Sequence, residues 1–109
     1  MTLRIYGVVL ELVRKVSPLI GPLRARSATL GDQLERALIS IPLNVAEGSH
    51  SRGKNRQARF HSAAGSAREA LACFETAEAM GWAGPLSPEV AALFRQVIGT
   101  LVKLAPQRY

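Results

Sequence analysis

The stretch QLERALISIPLNVAEG, Gln33 to Gly48, decides the fold. Leu34, Leu38, Ile41 and Val45 recur in it at the spacing of one helical face. Pro42 stands among them. Proline has no backbone N–H, so it leaves the Leu38 carbonyl without its usual donor and favours a kink. The apolar period nevertheless continues beyond it. The reading is therefore a proline-kinked helix that begins near Thr29 and ends at Gly48. Ser40 and Asn44 are placed to satisfy the loosened backbone.

A polar line accompanies that apolar face. Gln33, Arg36, Ser40, Asn44 and Glu47 fall along one side of the same helix. After the turn GSHSRGKN, with its two glycines, a third helix is expected from Lys54 to Met80. Phe60, Ala63, Ala64, Ala67, Leu71 and Phe74 line its apolar face, and Ser62, Ser66 and Glu69 form a polar line beside it. Folding the two helices back around Ser51 sets Arg36 near Ser66 and Glu69. It sets Ser40 near Ser62, and Asn44 and Glu47 near Arg59 and Arg56. The two lines read as a polar seam of Arg36, Ser40, Asn44, Glu47, Ser66 and Glu69 that fixes register, because buried polar groups must be paired.

Outward from this hairpin the remaining helices follow. Helix one carries Leu3, Tyr6, Val9, Leu10, Val13 and Val16, runs from Leu3 to Ile20, and is closed by Gly21-Pro22. Gly81 ends helix three. Ser87-Pro88-Glu89 is a helix start, with a capping serine, proline in the first position and an acid in the first turn. Helix four then bears Val90, Leu93, Phe94, Val97, Leu101 and Leu104, to about Ala105. The fold class is all-α: an antiparallel up-down four-helix bundle, with residues 1–109 as a single domain. Ala70, Cys73 and Ala77 form a second, small-residue ridge on helix three. A ridge of that kind allows close helix approach and points to self-association.

The residues from Gln33 to Ala70 resemble the four-helix-bundle family of 23S rRNA intervening-sequence proteins, which includes the accessory variability proteins of diversity-generating retroelements. The resemblance rests on Gln33-Leu34-x-Arg36-Ala37, on Ser40-Ile41-Pro42-x-Asn44-Val45-Ala46-Glu47-Gly48, and on Arg52, Phe60 and Ala64-Gly65-Ser66-x-x-Glu69. It implies a bundle that assembles as a ring-like homopentamer. For relatives it also implies basic surfaces that bind nucleic acid or a reverse transcriptase. Glu35 departs from the pattern, standing where the family often has a second basic residue.

Charge points the same way. The chain has 14 Lys and Arg against 8 Asp and Glu, an excess that favours anionic partners, RNA or DNA first. From Gly48 to Phe60 there are Arg52, Lys54, Arg56 and Arg59 and no acid. An up-down topology brings Arg4, the N-terminal amine, Lys103 and Arg108 to the same end. Arginines suit bidentate phosphate contacts. The expected function is a non-enzymatic, oligomeric helical scaffold that associates with RNA or DNA through this end. The alternative is an adaptor for an acidic partner protein.

Other chemistry finds little support. Glu47-x-x-His50 has the spacing of half a di-iron site, but His61 has no glutamate three residues before it. No metal and no cofactor are expected. Cys73 is the only cysteine and sits on an apolar ridge, so it reads as packing, in a protein suited to a reducing cytoplasm. No nucleophile elbow, phosphate loop or dinucleotide fingerprint occurs, and no catalytic residue is assigned. The N-terminus MTLRIYGVVLELVRKV is interrupted by Arg4, Glu11 and Arg14 and does not read as a signal peptide. No apolar run approaches the ~20 residues of a membrane span, so no membrane association is expected.

Overall fold

Four helices account for most of the chain: α1 (Arg4–Arg26), α2 (Ala28–Ser49), α3 (Gly53–Ala79) and α4 (Pro88–Leu104). They come from a computed structural model that describes residues 4–105. The expected all-α bundle is what forms, with no strand among the described residues. α1 packs against α2 and α4, and α3 against the same two. The helices therefore circle one core in chain order. The short connections make neighbours antiparallel, and the bundle measures 42 × 25 × 19 Å.

In α2 the apolar face is the one its spacing predicts. Leu34, Leu38, Ile41 and Val45 are all buried, and the helix continues through Pro42 to Ser49. α1 departs from expectation in two respects. Gly21-Pro22 does not close it: the helix runs through Pro18 and Pro22 to Arg26. Pro18, Gly21 and Pro22 all fall on the exposed side, where water replaces missing donors, while Ile20 and Leu23 extend the buried line. Burial on the core side outweighs the lost backbone bonds. The phase also differs. Ile5, Val9, Leu12, Val16, Ile20 and Leu23 form the core line, and Tyr6 and Val13 are only partly buried. Leu3 lies outside the described residues.

One residue, Ser27, separates α1 from α2. Its hydroxyl accepts from the Leu30 N–H at 3.1 Å, capping α2. Arg24 reaches across this junction, its Nε to Asp32 Oδ1 at 3.0 Å and its Nη2 to Glu35 Oε1 at 2.8 Å. The Asp32 hydrogen bond, more than the charge of Glu35, raises the guanidinium pKa above its ordinary value.

α3 is buried chiefly through small residues. Ala63, Ala64, Ala67, Ala70, Cys73 and Ala77 are all in the core, beside Phe60 and Phe74. The Ala70–Cys73–Ala77 ridge is thus used inside the chain's own bundle and presents no surface for a second copy. Gly81, at φ +76°, breaks the chain direction after α3. Ser87 then starts α4 as its sequence signature predicts, its hydroxyl accepting from the Val90 N–H at 3.2 Å. Ser87→Ala should lower stability by about 1 kcal/mol in chemical denaturation, the usual worth of an N-cap hydroxyl. Phe94 closes the core from α4, meeting Phe74 edge-on with ring centroids 6.2 Å apart.

Candidate nucleic-acid interface

The α2–α3 turn shares one end of the bundle with the start of α1 and the end of α4. Arg52, Lys54, Arg4 and Lys103 are all exposed there, and none forms an ion pair among the described residues. Arg59, also exposed, stands further up α3 with its Nη1 3.5 Å from Asn44 Oδ1. Arg108 and the N-terminal amine lie outside the described residues. Arg56 differs from its neighbours. It is half-buried, its Nη1 donates to the Gly48 carbonyl at 3.3 Å, and its guanidinium covers the Phe60 ring at 4.9 Å. Its charge is tied to the helix junction.

The opposite end is close to neutral: Lys15, Arg24, Arg26, Arg36 and Arg68 lie towards it as well as its acids. Asp32, Glu35, Glu75, Glu78 and Glu89 lie towards it, five of the chain's eight acidic residues. Its cations are partly engaged: Arg24 by Asp32 and Glu35, and Lys15 by Glu89 at 3.5 Å. At the turn end the nearby acid is Glu47. The excess of positive charge is therefore concentrated at the turn end. A concentration of free cations on one face attracts polyanions at long range.

The polar seam is smaller than the sequence suggests. Ser66 Oγ donates to Ser40 Oγ at 2.8 Å, and Asn44 Nδ2 donates to the Ser40 hydroxyl at 2.9 Å and the Ser40 carbonyl at 3.0 Å. The partner of Ser40 is Ser66 rather than Ser62, one turn away, and Ser62 is exposed. Arg36 bonds Gln33 Oε1 at 3.3 Å instead of reaching Ser66 or Glu69. Glu47 and Glu69 are exposed and make no ion pair among the described residues. Among the described residues no charged group is buried. The seam is thus a cluster of three short side chains, and the long charged ones project past it into solvent.

That projection leaves a shallow groove over the seam, lined by Arg36, Ile39, Leu43, Asn44, Glu47 and Arg59. Ile39 is 52% and Leu43 61% exposed. Neither was singled out from the sequence. Their signal is an apolar pair four residues apart lying off the main Leu34–Val45 stripe. A second, apolar cleft of about 370 Å³ lies at the opposite end, between Leu19, Pro22, Phe74, Trp82, Leu86 and Val90. Trp82 is its signal in the sequence.

Neither concavity assembles catalytic groups. His50 and His61 are both exposed. Among the described residues no three of His, Cys, Asp and Glu come together as a metal site. Cys73 is buried, and desolvation, assisted by Glu69, raises its thiol pKa, which makes it a poor nucleophile. Among the described residues no helix is long and apolar enough to cross a membrane.

The sequence model of one family, described as 23S rRNA-intervening sequence protein, matches residues 1–97. Neither the curated proteins nor the solved structures provide a match.

Proposed function

The chain belongs to the 23S rRNA-intervening sequence protein family, and on that premise we propose that it is a non-enzymatic, oligomeric helical scaffold that associates with RNA or DNA through its basic end. The observation that carries this reading is the set of exposed cations at the α2–α3 turn end that form no ion pair among the described residues, set against an opposite end whose charges balance. Arg4, Arg52, Lys54, Lys103 and Arg108 are the proposed phosphate contacts, with Arg59 at the margin. Arg56 supports the surface by fixing the turn. The reading takes residues 1–109 as one unit, in the cytoplasm, with five copies as the family resemblance implies. Among the described residues no fully exposed aromatic side chain accompanies the cations, which supports binding largely independent of base sequence.

The test is fluorescence anisotropy with labelled RNA and DNA of mixed sequence. Affinity should fall by more than tenfold between about 50 and about 200 mM salt, through counterion release. Reversing Arg4, Arg52 and Lys54 to glutamate should abolish binding with helicity unchanged. Reversing Arg14, Arg26 and Arg68, an equal change of charge at exposed positions elsewhere, should weaken it far less. Equal losses would replace the localised site with general basicity. No binding at low salt would reject the nucleic-acid reading. It would favour the second reading, an adaptor whose basic end meets an acidic partner protein.

A further inference from the structure

The apolar cleft at the end away from the α2–α3 turn arises from unequal helix lengths. α4 has 17 residues and α1 has 23. Lys15 of α1 already meets Glu89, in the first turn of α4. The rest of α1, residues 16–26, therefore runs on past the start of α4. The connection from α3, residues 80–87, folds across the gap and covers those upper turns of α1 incompletely. Leu19 is 37% exposed there, and with Pro22 it forms one wall of the cleft.

The opposite wall is fixed by backbone bonds. The Gly81 N–H donates to the Glu78 carbonyl at 3.0 Å, and the Trp82 N–H to the Ala77 carbonyl at 2.9 Å. These are the paired bonds of a glycine-closed helix end, which the Gly81 φ of +76° permits. They turn Trp82 back over the bundle, where it packs half-buried against the core beside Leu86. Leu23, Phe74 and Val90 form a buried floor. The cleft, about 370 Å³, is thus preformed, apolar and within the size range of small-molecule sites.

Its polar groups favour one sign of charge. Lys15, Leu19, Pro22 and Arg26 recur at helical spacing along one side of α1. Lys15 lines the cleft, and no acidic residue does. Arg26 continues the line beyond Pro22, exposed and with no ion pair among the described residues. Glu89 holds Lys15 at 3.5 Å, but both side chains are well exposed, and a pair of that kind exchanges readily. Ser87 adds a hydroxyl to the lining. Its oxygen accepts from the Val90 N–H, so its O–H is left to donate. We propose that this cleft binds a small amphipathic carboxylate, an aliphatic or aryl acid, with its apolar body between Leu19, Trp82 and Leu86 and its carboxylate at Lys15 and Ser87.

Other ligands fit less well. A cationic amphiphile would set a second positive charge beside Lys15. A wholly apolar one would leave Lys15 and Ser87 without a role. Nucleic acid is drawn to the basic end and finds balanced charge here. The site is separate from that end, so it stands or falls independently of the nucleic-acid reading.

Intrinsic fluorescence of the full chain tests it, because Trp82 is the only tryptophan. Decanoate, added below its micellar range, should shift the Trp82 emission along a saturable one-to-one isotherm. From hexanoate to decanoate the affinity should rise by up to about fourfold per added CH₂. Decyltrimethylammonium, equal in chain and opposite in charge, should bind several-fold more weakly. Lys15→Gln should weaken octanoate by about two- to fivefold, the range of an exposed charge contact, and leave 1-octanol unaffected. Leu19→Glu should abolish binding with an unchanged helical spectrum. Leu43→Glu, an exposed apolar residue in the other groove, should leave it intact. Should Leu19→Glu fail to fold, the comparison of octanoate with 1-octanol on Lys15→Gln decides. No saturable response to decanoate would overturn the proposal. So would equal affinity for decyltrimethylammonium, which would make the cleft a general apolar surface. If decanoate had no effect and Leu19→Glu lowered the mass in light scattering, the cleft would belong to a second copy of this chain.

Discussion

Phe60→Ala should cost about 3–5 kcal/mol of stability, enough to unfold most small domains at moderate temperature. The ring is fully buried where α3 leaves the turn and crosses α2. Gly48 is buried against it: a Cβ at that position would sit 2.8 Å from Phe60 Cε1 and 3.0 Å from Cδ1. Arg56 lies over the same ring, 4.9 Å from its centroid. Removing the ring leaves a cavity between two helices whose separation is set by the turn, so little collapse is available to fill it. The same geometry makes Gly48→Ala costly, at about 1–3 kcal/mol for an overpacked contact. Phe60→Leu should relieve part of that second loss, because a shorter side chain withdraws the atoms that clash. Chemical denaturation of the two single variants and the double variant, at fixed protein concentration, measures the coupling. Strict additivity would mean that Gly48 and Phe60 do not touch.

This pairing gives the glycine that ends the Gln33–Gly48 stretch a second purpose. A glycine near the end of a helix reads first as a stop signal, and α2 does end one residue later. Its burial shows a second requirement, room for a ring that arrives from twelve residues downstream, and no local pattern carries that. α2 was legible because Gln33, Glu35, Arg36, Ser40, Asn44 and Glu47 set off its Leu34–Leu38–Ile41–Val45 stripe, even though Ile39 and Leu43 stand outside it. α1 was not, because Ile5, Tyr6, Val8, Val9, Leu10, Leu12 and Val13 are apolar on every side. Periodicity without contrast permits several faces, and packing against α2 and α4 chose the one through Ile5 and Leu12. The end of α1 failed for a related reason. Gly-Pro is punctuation only where nothing beyond it is worth burying, and Leu23 is.

The candidate site divides along the same line. Counting helices was enough to place Arg52, Lys54, Arg4 and Lys103 at one end. Which cations remain free there depends on contacts, and Arg56 is held by the Gly48 carbonyl and the Phe60 ring. In the seam, the choice of Ser66 over Ser62 is a shift of one helical turn. The two serines are equivalent in pattern, and only the crossing of the helices separates them. The exposed Ile39–Leu43 pair was hidden by the stronger stripe on the same helix.

Gly31→Ala should be the second damaging substitution, at about 1–3 kcal/mol. Gly31 is buried in the first turns of α2, facing back towards the last turn of α1. A Cβ there would lie 2.6 Å from Arg24 Cβ and 2.7 Å from Arg24 Cα. The obstacle is backbone and the first side-chain carbon, so no rotamer change removes it. The helices would have to separate at a junction of one residue. Separation would also stretch the Arg24 bonds to Asp32 and Glu35. These are exposed, and exposed pairs contribute little by themselves. Most of the loss should therefore survive in an Arg24→Ala background, which deletes the ion pairs and keeps the obstructing Cα and Cβ. Thermal unfolding of Gly31→Ala in both backgrounds, at one protein concentration, separates the two sources. If the loss disappeared with Arg24→Ala, the close approach would be a consequence of the guanidinium bridge. If it persists, the bare Cα of Gly31 is what lets two long helices meet across a single serine.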